Sequence, residues 1–264
     1  MAGLFQAALN YRYFIWSAIR LDFRARVARS GLGVLWIVLS PLSQVAIYAF
    51  VLSALMSSRL PGIDNRFAYS IYLMAGFSAW FLFTEILNRS LTIFIDNANA
   101  LKKIAFPRIV LPLITLGAAL VNNLIFFVLV LAAYALLGHN PGWALLWFPV
   151  LTVLTAALGL GLGLTLGVLN VFIRDVAQAV GILLQFGFWM TPIVYIIDII
   201  PESYRFILMF NPMFWVVDGY HRVLVYGQAP NLLSLACLAV LAVGLMALAM
   251  TLFRRSSGEM VDVL

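Results

Sequence analysis

The chain has 264 residues, 64% of them hydrophobic and only 10% charged, with a net charge of +6 and a mean hydropathy of +1.05. Soluble domains carry about a quarter charged residues, so a water-soluble fold is excluded and an integral membrane protein is implied. Apolar runs of about 20 residues exceed the roughly ten alternating residues of a barrel strand, which excludes a barrel and makes the spans helical. The basic residues sit beside apolar runs, as membrane topology requires, so the positive balance does not point to nucleic acid. Met1 to Ser30 is punctuated by polar residues, and no cleavable signal is expected there. Cys237, the single cysteine, lies in an apolar run and reads as a small core residue.

In chain order, the first element covers residues 3–29. Leu9, Tyr13, Trp16, Phe23 and Val27 recur at helical spacing, with Arg12, Arg20, Arg24, Arg26 and Arg29 on other faces. This predicts an amphipathic helix in the membrane interface, or more simply a basic flank that sets topology. Span one follows from about Leu32 to Met56, with a kink at Pro41, and Arg59 to Arg66 forms an outer loop. Span two, from about Phe67 to Ile95, carries Glu85 and Arg89 at i,i+4. Such an intramembrane charge pair is either functional or an intrahelical pair with Arg89 snorkelling. Next comes a polar island, Asp96 to Arg108, holding Lys102, Lys103 and Arg108. Asp96, Asn97 and Asn99 can cap a short helix, and Pro107 ends it or starts the next. It reads as a helical elbow built to be pushed by another protein.

Span three (109–137) is uncharged, with Asn122 and Asn123 as interhelical glue or ligands. A turn at 138–142 leads to span four (143–170), whose Gly159, Gly163 and Gly167 form overlapping G-x-x-x-G units for close helix approach. A second short elbow, 170–175, ends in Arg174 and Asp175. Span five is expected over 176–197, broken or bent at Thr191-Pro192. Residues 198–230 mix polar and apolar residues and fit two short helices, with Pro201 and Pro212 at first helical positions and Asn211 as a cap. They are placed as a re-entrant or surface hairpin on the outer side. Span six covers 232–253, and a cytoplasmic tail of 254–264 begins with Arg254 and Arg255.

The fold expected is therefore an all-α integral membrane protein. It comprises six transmembrane helices, an N-terminal interfacial amphipathic helix and an outer re-entrant helical hairpin before the last span, in one domain of 1–264. With both ends cytoplasmic, Arg12, Arg20, Arg24, Arg26, Arg29, Lys102, Lys103, Arg108, Arg174, Arg254 and Arg255 lie inside. Arg59, Arg66, Arg205 and Arg222 lie outside, which satisfies the positive-inside rule.

Enzymatic signatures are missing from the sequence. No G-x-x-x-x-G-K-[ST] phosphate loop occurs, so ATP is not bound in that manner by this chain. His139 and His221 fall in separate outer segments, and neither suggests a metal site. The few acidic residues and the lack of an inverted repeat argue against a proton-coupled carrier.

Four ordered motifs carry a resemblance. They are Ser30-Gly-Leu-Gly33 with Trp36 and Pro41; Asn99 to Pro112, with Leu101-Lys102-Lys103 and Phe106-Pro107-Arg108; Asn170 with Arg174-Asp175; and Thr191-Pro192-Ile193 with Tyr195 and then Asn211-Pro212. In these the chain resembles the membrane (permease) subunit of bacterial polysaccharide ABC exporters, the type-2 permeases for O-antigen, capsule or teichoic acid. One departure is Arg20-Leu-Asp22, where family members often have adjacent Arg-Asp.

The resemblance implies a bacterial inner-membrane permease, with ATP and Mg²⁺ on a separate ATPase subunit, no cofactor on this chain, and a second copy completing a 2+2 assembly. It implies a coupling helix at the first elbow, formed by Asp96, Asn97, Leu101, Lys102, Lys103, Phe106, Pro107 and Arg108. Asn170 to Asp175, with Arg174 and Asp175, would form a smaller second ATPase contact. A polymer of undefined length needs a continuous channel, and aromatic rings stack on sugar faces without fixing a register. Tyr48, Phe77, Trp80, Phe81, Trp189 and Tyr195 are the channel candidates, with lipid-facing positions the alternative for each. Other readings are a type-2 permease for a drug or lipid, or a membrane-bound enzyme of glycan or lipid metabolism relying on Glu85, Asp198 or Glu202.

Overall fold

The computed structural model describes residues 11–28, 67–103, 110–256 and 258–263, together with 35–36, 39–40, 42–44 and 46–47. Most of the expected span one and the loop after it lie outside these residues, as do Tyr48, Phe106, Pro107 and Arg108. The described residues are helical, with no strand among them. The helices are α1 (Arg12–Ala28), α2 (Ala68–Asp96), α3 (Ala98–Lys103), α4 (Val110–Leu136) and α5 (Phe148–Phe172). They continue as α6 (Asp175–Trp189), α7 (Glu202–Met209), α8 (Pro212–Leu224), α9 (Leu232–Ser256) and α10 (Glu259–Val263). A 3-10 turn, Gly142–Trp147, leads into α5.

Four helical stretches among the described residues are long and apolar enough to cross a membrane: Ala68–Asp96, Val110–Leu136, Gly142–Phe172 and Leu232–Ser256. They correspond to the expected spans two, three, four and six, and the chain is an integral membrane protein. Span five breaks beside Thr191-Pro192, as expected, but no span-length helix runs through to 197. Its helix stops at Trp189 after 15 residues, about 22 Å against a hydrocarbon core of about 30 Å. The Thr191 hydroxyl donates to the Gly187 carbonyl, and the chain then turns through residues 190–196.

The helix α2 is the hub of the bundle, with 78% of its apolar window buried against 22% for α9. Helix α5 packs along it in parallel. Gly159 faces the carbonyl of Phe83, and Gly163 and Gly167 face Leu87 and Ser90. A Cβ at Gly163 would lie 2.7 Å from the Ser90 Cβ and 2.9 Å from the Leu87 carbonyl oxygen. The G-x-x-x-G stripe is thus a seam where two backbones nearly touch. Gly161, on another face of α5, does the same for α9 at Leu245. Cys237 is exposed on α9 rather than in the core. This helix buries only the stripe Leu235, Leu238, Ala242 and Ala249, and an apolar bilayer sets no demand to bury the rest.

At the end of α2 where it begins, tyrosine hydroxyls hold the turn after α6. Tyr72 donates to the carbonyls of Pro192 (3.1 Å) and Tyr195 (3.0 Å), and Tyr69 donates to that of Val194. These bonds satisfy backbone groups that helix geometry no longer pairs. The two-helix segment expected after span five is present as α7 and α8. Pro212 is the first residue of α8, and the Asn211 side chain accepts from the Met213 N–H at 3.0 Å, as the capping pattern predicts. Pro201 sits one position earlier than expected, at the cap of α7.

His221 of α8 is buried. Its ring stacks on Tyr72 at 3.7 Å, and its Nε2 lies 3.1 Å from the Tyr72 carbonyl. Burial lowers its pKa from 6.5 to about 3, against a smaller opposing effect of that hydrogen bond. Below pH 6.5 the unfolded chain takes up a proton that the folded chain refuses until about pH 3. Stability from this group is complete above 6.5 and is lost as pH falls through that window.

Two outcomes test these contacts. Gly163→Leu lowers the melting temperature of the purified protein, consistent with about 1–3 kcal/mol of overpacking, whereas Gly181→Leu, with open space around it, has little effect. Thermal stability in detergent falls between about pH 7 and 5 by at most about 1.4 kcal/mol per unit from His221, and His221→Gln flattens that slope.

Candidate functional site

The elbow end of the bundle is built by three local devices. Helix α2 closes with the Asn97 side chain donating back to the Ile93 carbonyl at 2.8 Å, while Thr92 donates to the Asp96 carboxylate at 2.7 Å. The expected cap therefore acts backward, finishing α2. Helix α3 then starts with the Leu101 N–H bonded to the Asn97 carbonyl at 3.0 Å. Leu101 is half-buried and packs against a cluster containing Phe94, Val171 and Met260, whereas Lys102 is exposed. Lys103 ends the helix. The short helix α10 packs against both α3 and α5, with Met260 buried.

Arg174 and Asp175 are exposed at the start of α6, with Asp175 in its first turn. Asn170, the first residue of the expected second contact, ties this second elbow to α2 one turn before the first. Its amide donates to the Leu91 carbonyl of α2 at 3.1 Å and accepts from the Ala177 N–H at 3.1 Å. An asparagine at a helix end is a local signal. Its partner 79 positions away is not.

The charge pair of α2 belongs to a larger network. Arg89 Nε contacts Glu85 at 3.0 Å, the expected i,i+4 pair, and Arg89 Nη1 contacts Asp22 of α1 at 3.2 Å. The Asn122 amide of α4 donates to Glu85. Three helices thus meet at the Glu85–Arg89 pair, α1 through Arg89 and α4 through Glu85. Ile19 seats α1 against Gly117 of α4 beside it. A cavity of about 480 Å³ between α1, α2 and α4 is lined by Asp22, Arg89, Asp96 and Thr115 among others.

The candidate aromatics separate into two groups. Phe77 and Trp80 are buried in the chain's own core around Phe188, at ring distances of 5.9 and 5.7 Å. Phe188 was not singled out by sequence, where it is one of several aromatics in span five. Phe81 is half-buried, Tyr195 is half-buried with its hydroxyl on the Trp189 carbonyl at 2.9 Å, and Trp189 is exposed. Helix α6 leaves Gln178, Ile182, Gln185, Phe186 and Trp189 exposed and buries only Val180.

Apolar helices with polar elbows at one end and a helical hairpin at the other give a helical integral membrane architecture. The ABC-2 type transporter family matches residues 13–225, and the chain belongs to that family. It is 28% identical over 207 residues to the O-antigen export system permease protein RfbA of Klebsiella pneumoniae, covering 78% of each chain. It is 27% identical over 268 residues to the RfbA permease of Myxococcus xanthus, covering 99% of each. Its identity to the polysialic acid transport protein KpsM of Escherichia coli is 25% over 249 residues, covering 91% of this chain and 92% of that one.

The network makes its own prediction. Asp22→Asn and Arg89→Gln each lower thermal stability, and a double-mutant cycle returns a coupling of about 1 kcal/mol, typical of polar contacts between membrane helices. Additive losses would show that the Asp22–Arg89 pair does not hold α1.

Proposed function

We propose that this chain is the permease subunit of an ATP-driven exporter of a polysaccharide, O-antigen-like in class, across the bacterial inner membrane. The observation that carries this is similarity over nearly the whole chain to two kinds of polysaccharide export protein, in a sequence with no phosphate loop of its own. ATP and Mg²⁺ are bound by a separate ATP-binding-cassette subunit. Both termini and both elbows face the cytoplasm, and the α7–α8 hairpin lies on the outer side.

In this reading α3 is the coupling helix. Its exposed Lys102 faces the ATPase, its Leu101 is anchored in the bundle, and Arg174 and Asp175 supply the second contact. Phe106, Pro107 and Arg108 complete the first contact. Closure of the ATPase pair on ATP moves the elbows, and α2 and α5 move with them because Asn170 joins the two. A second copy of the chain completes the conduit, with α6 turned to the shared axis. Its exposed Trp189 and glutamines suit a wet path for sugars, a role that the buried Phe77 and Trp80 serve only by supporting it from behind.

Co-purification with a separate ATP-binding-cassette ATPase tests the assignment. The chain alone hydrolyses no ATP, and the complex does. Lys102→Glu leaves the complex assembled but reduces surface polysaccharide several-fold while hydrolysis continues. Normal export by that variant would remove α3 from the coupling path.

A further inference from the structure

Helix α10 has five residues, Glu259–Val263. So short a helix does not persist alone in water, and its shape must come from what it packs against. Among its described side chains Met260 does that packing. Met260 is 2% exposed, whereas Gly258, Glu259 and Val263 are exposed. Met260 belongs to the apolar cluster that also holds Phe94 of α2 and Val171 of α5, with Leu101 of α3 and Phe253 of α9 packed on it. Phe253 stacks on Phe94 at 5.3 Å, so the last turn of α9 and the first of α10 both return to that cluster.

The cluster lies where the two elbows converge. Helix α3, with six residues, is as unable as α10 to hold itself. Its principal neighbours are α2, from which it continues, and α10. Helix α10 packs in turn on α5, which ends at Phe172, just before Arg174. One buried methionine thus bridges the first elbow to the start of the second. In the exporter reading this end lies in the cytoplasm, past Arg254 and Arg255. There water surrounds the chain, and burial of an apolar side chain is a driving force that the spans lack. Methionine also suits a joint that must hold while its neighbours shift, because its unbranched thioether repacks readily.

We propose that Met260 is a positioning residue of the coupling apparatus: it seats α10 against α3 and α5, and α10 thereby fixes the orientation in which α3 meets the ATPase. The proposal rests on the exporter reading above. It gives the segment after α9 a part in energy transfer.

The test uses the full chain with its ATPase, in cells and in lipid nanodiscs, with Met260→Ala, Met260→Leu and the exposed neighbour Glu259→Gln. In Met260→Ala the complex assembles and hydrolyses ATP near the parent rate. The amides of residues 98–103 exchange with deuterium several-fold faster, those of α9 do not change, and surface polysaccharide falls several-fold. Met260→Leu, which conserves volume, restores both the protection of α3 and export. Glu259→Gln changes neither. Unchanged exchange at α3 in Met260→Ala overturns the proposal, and so does full export by that variant. Parallel loss of complex, hydrolysis and export also overturns it, since Met260 would then serve folding alone. If deleting the chain leaves surface polysaccharide unchanged, the exporter reading fails and this proposal with it. If Lys102→Glu uncouples hydrolysis from export while Met260→Ala does not, the exporter reading stands and the role of Met260 alone fails.

Discussion

Everything else in the bundle depends on how closely α2 and α5 approach at Gly159, Gly163 and Gly167. Lipid tails are as apolar as leucine, so no hydrophobic drive presses two helices together inside a bilayer. Close backbone contact supplies dispersion in its place, and only glycine permits it here, since a Cβ at Gly163 would enter the space of Ser90 and Leu87. The seam also fixes register. Each residue of slip rotates a helix by about 100° and shifts it about 1.5 Å, which would carry Asn170 away from the Leu91 carbonyl. The relation between the two elbows is therefore a consequence of glycine positions one to three turns away.

The far end of α2 meets a different constraint. The chain must leave α6 and turn without stranding backbone carbonyls, and it does so by presenting those of residues 192, 194 and 195 to two tyrosines one helical turn apart. His221 then closes over Tyr72, and Tyr134 of α4 donates to the Ile71 carbonyl at 2.8 Å from another side. Gly76 leaves room for this, since a Cβ there would sit 3.1 Å from the His221 ring. Irregular backbone is tolerated at this depth because protein surrounds it and hydroxyls replace the missing helical partners.

Local chemistry was legible in the sequence and distant pairing was not. The glycine stripe, the Asn211–Pro212 helix start and the Glu85–Arg89 pair each need only residues within a few turns, and each is present. Asp22 illustrates the opposite case: its partner Arg89 is 67 positions away. The length of α6 was misjudged because Ile193, Val194 and Ile196 continue the apolar run. That run is apolar because Ile193 and Val194 are buried beneath α2 and α8, not because it extends a span. Apolarity also misleads in both directions within a membrane. Cys237 and Trp189 are exposed, while Phe77 and Trp80 are buried, and nothing in composition separates them, since lipid and core are equally apolar surroundings.

One helix touches every feature with a claim on function. Over 29 residues α2 carries the elbow at Asp96, the guanidinium that holds α1, the Glu85 carboxylate that accepts from Asn122 of α4, and the two tyrosines that hold the turn after α6. Its interior contains neither proline nor a break, so it has no hinge in which to absorb a displacement. Under the proposed coupling, a push on α3 must then be shared between movement of α2 as a body and rupture of its side contacts. The contacts differ in what they permit. The glycine seam is backbone against backbone and yields only by sliding both helices. The Asp22–Arg89 pair is one-quarter to one-third exposed and can be exchanged for water at little cost. Motion that begins at the elbow is therefore expected to carry α2 and α5 together and to part them first from α1, so that α1, and not the spine, is where an opening would start.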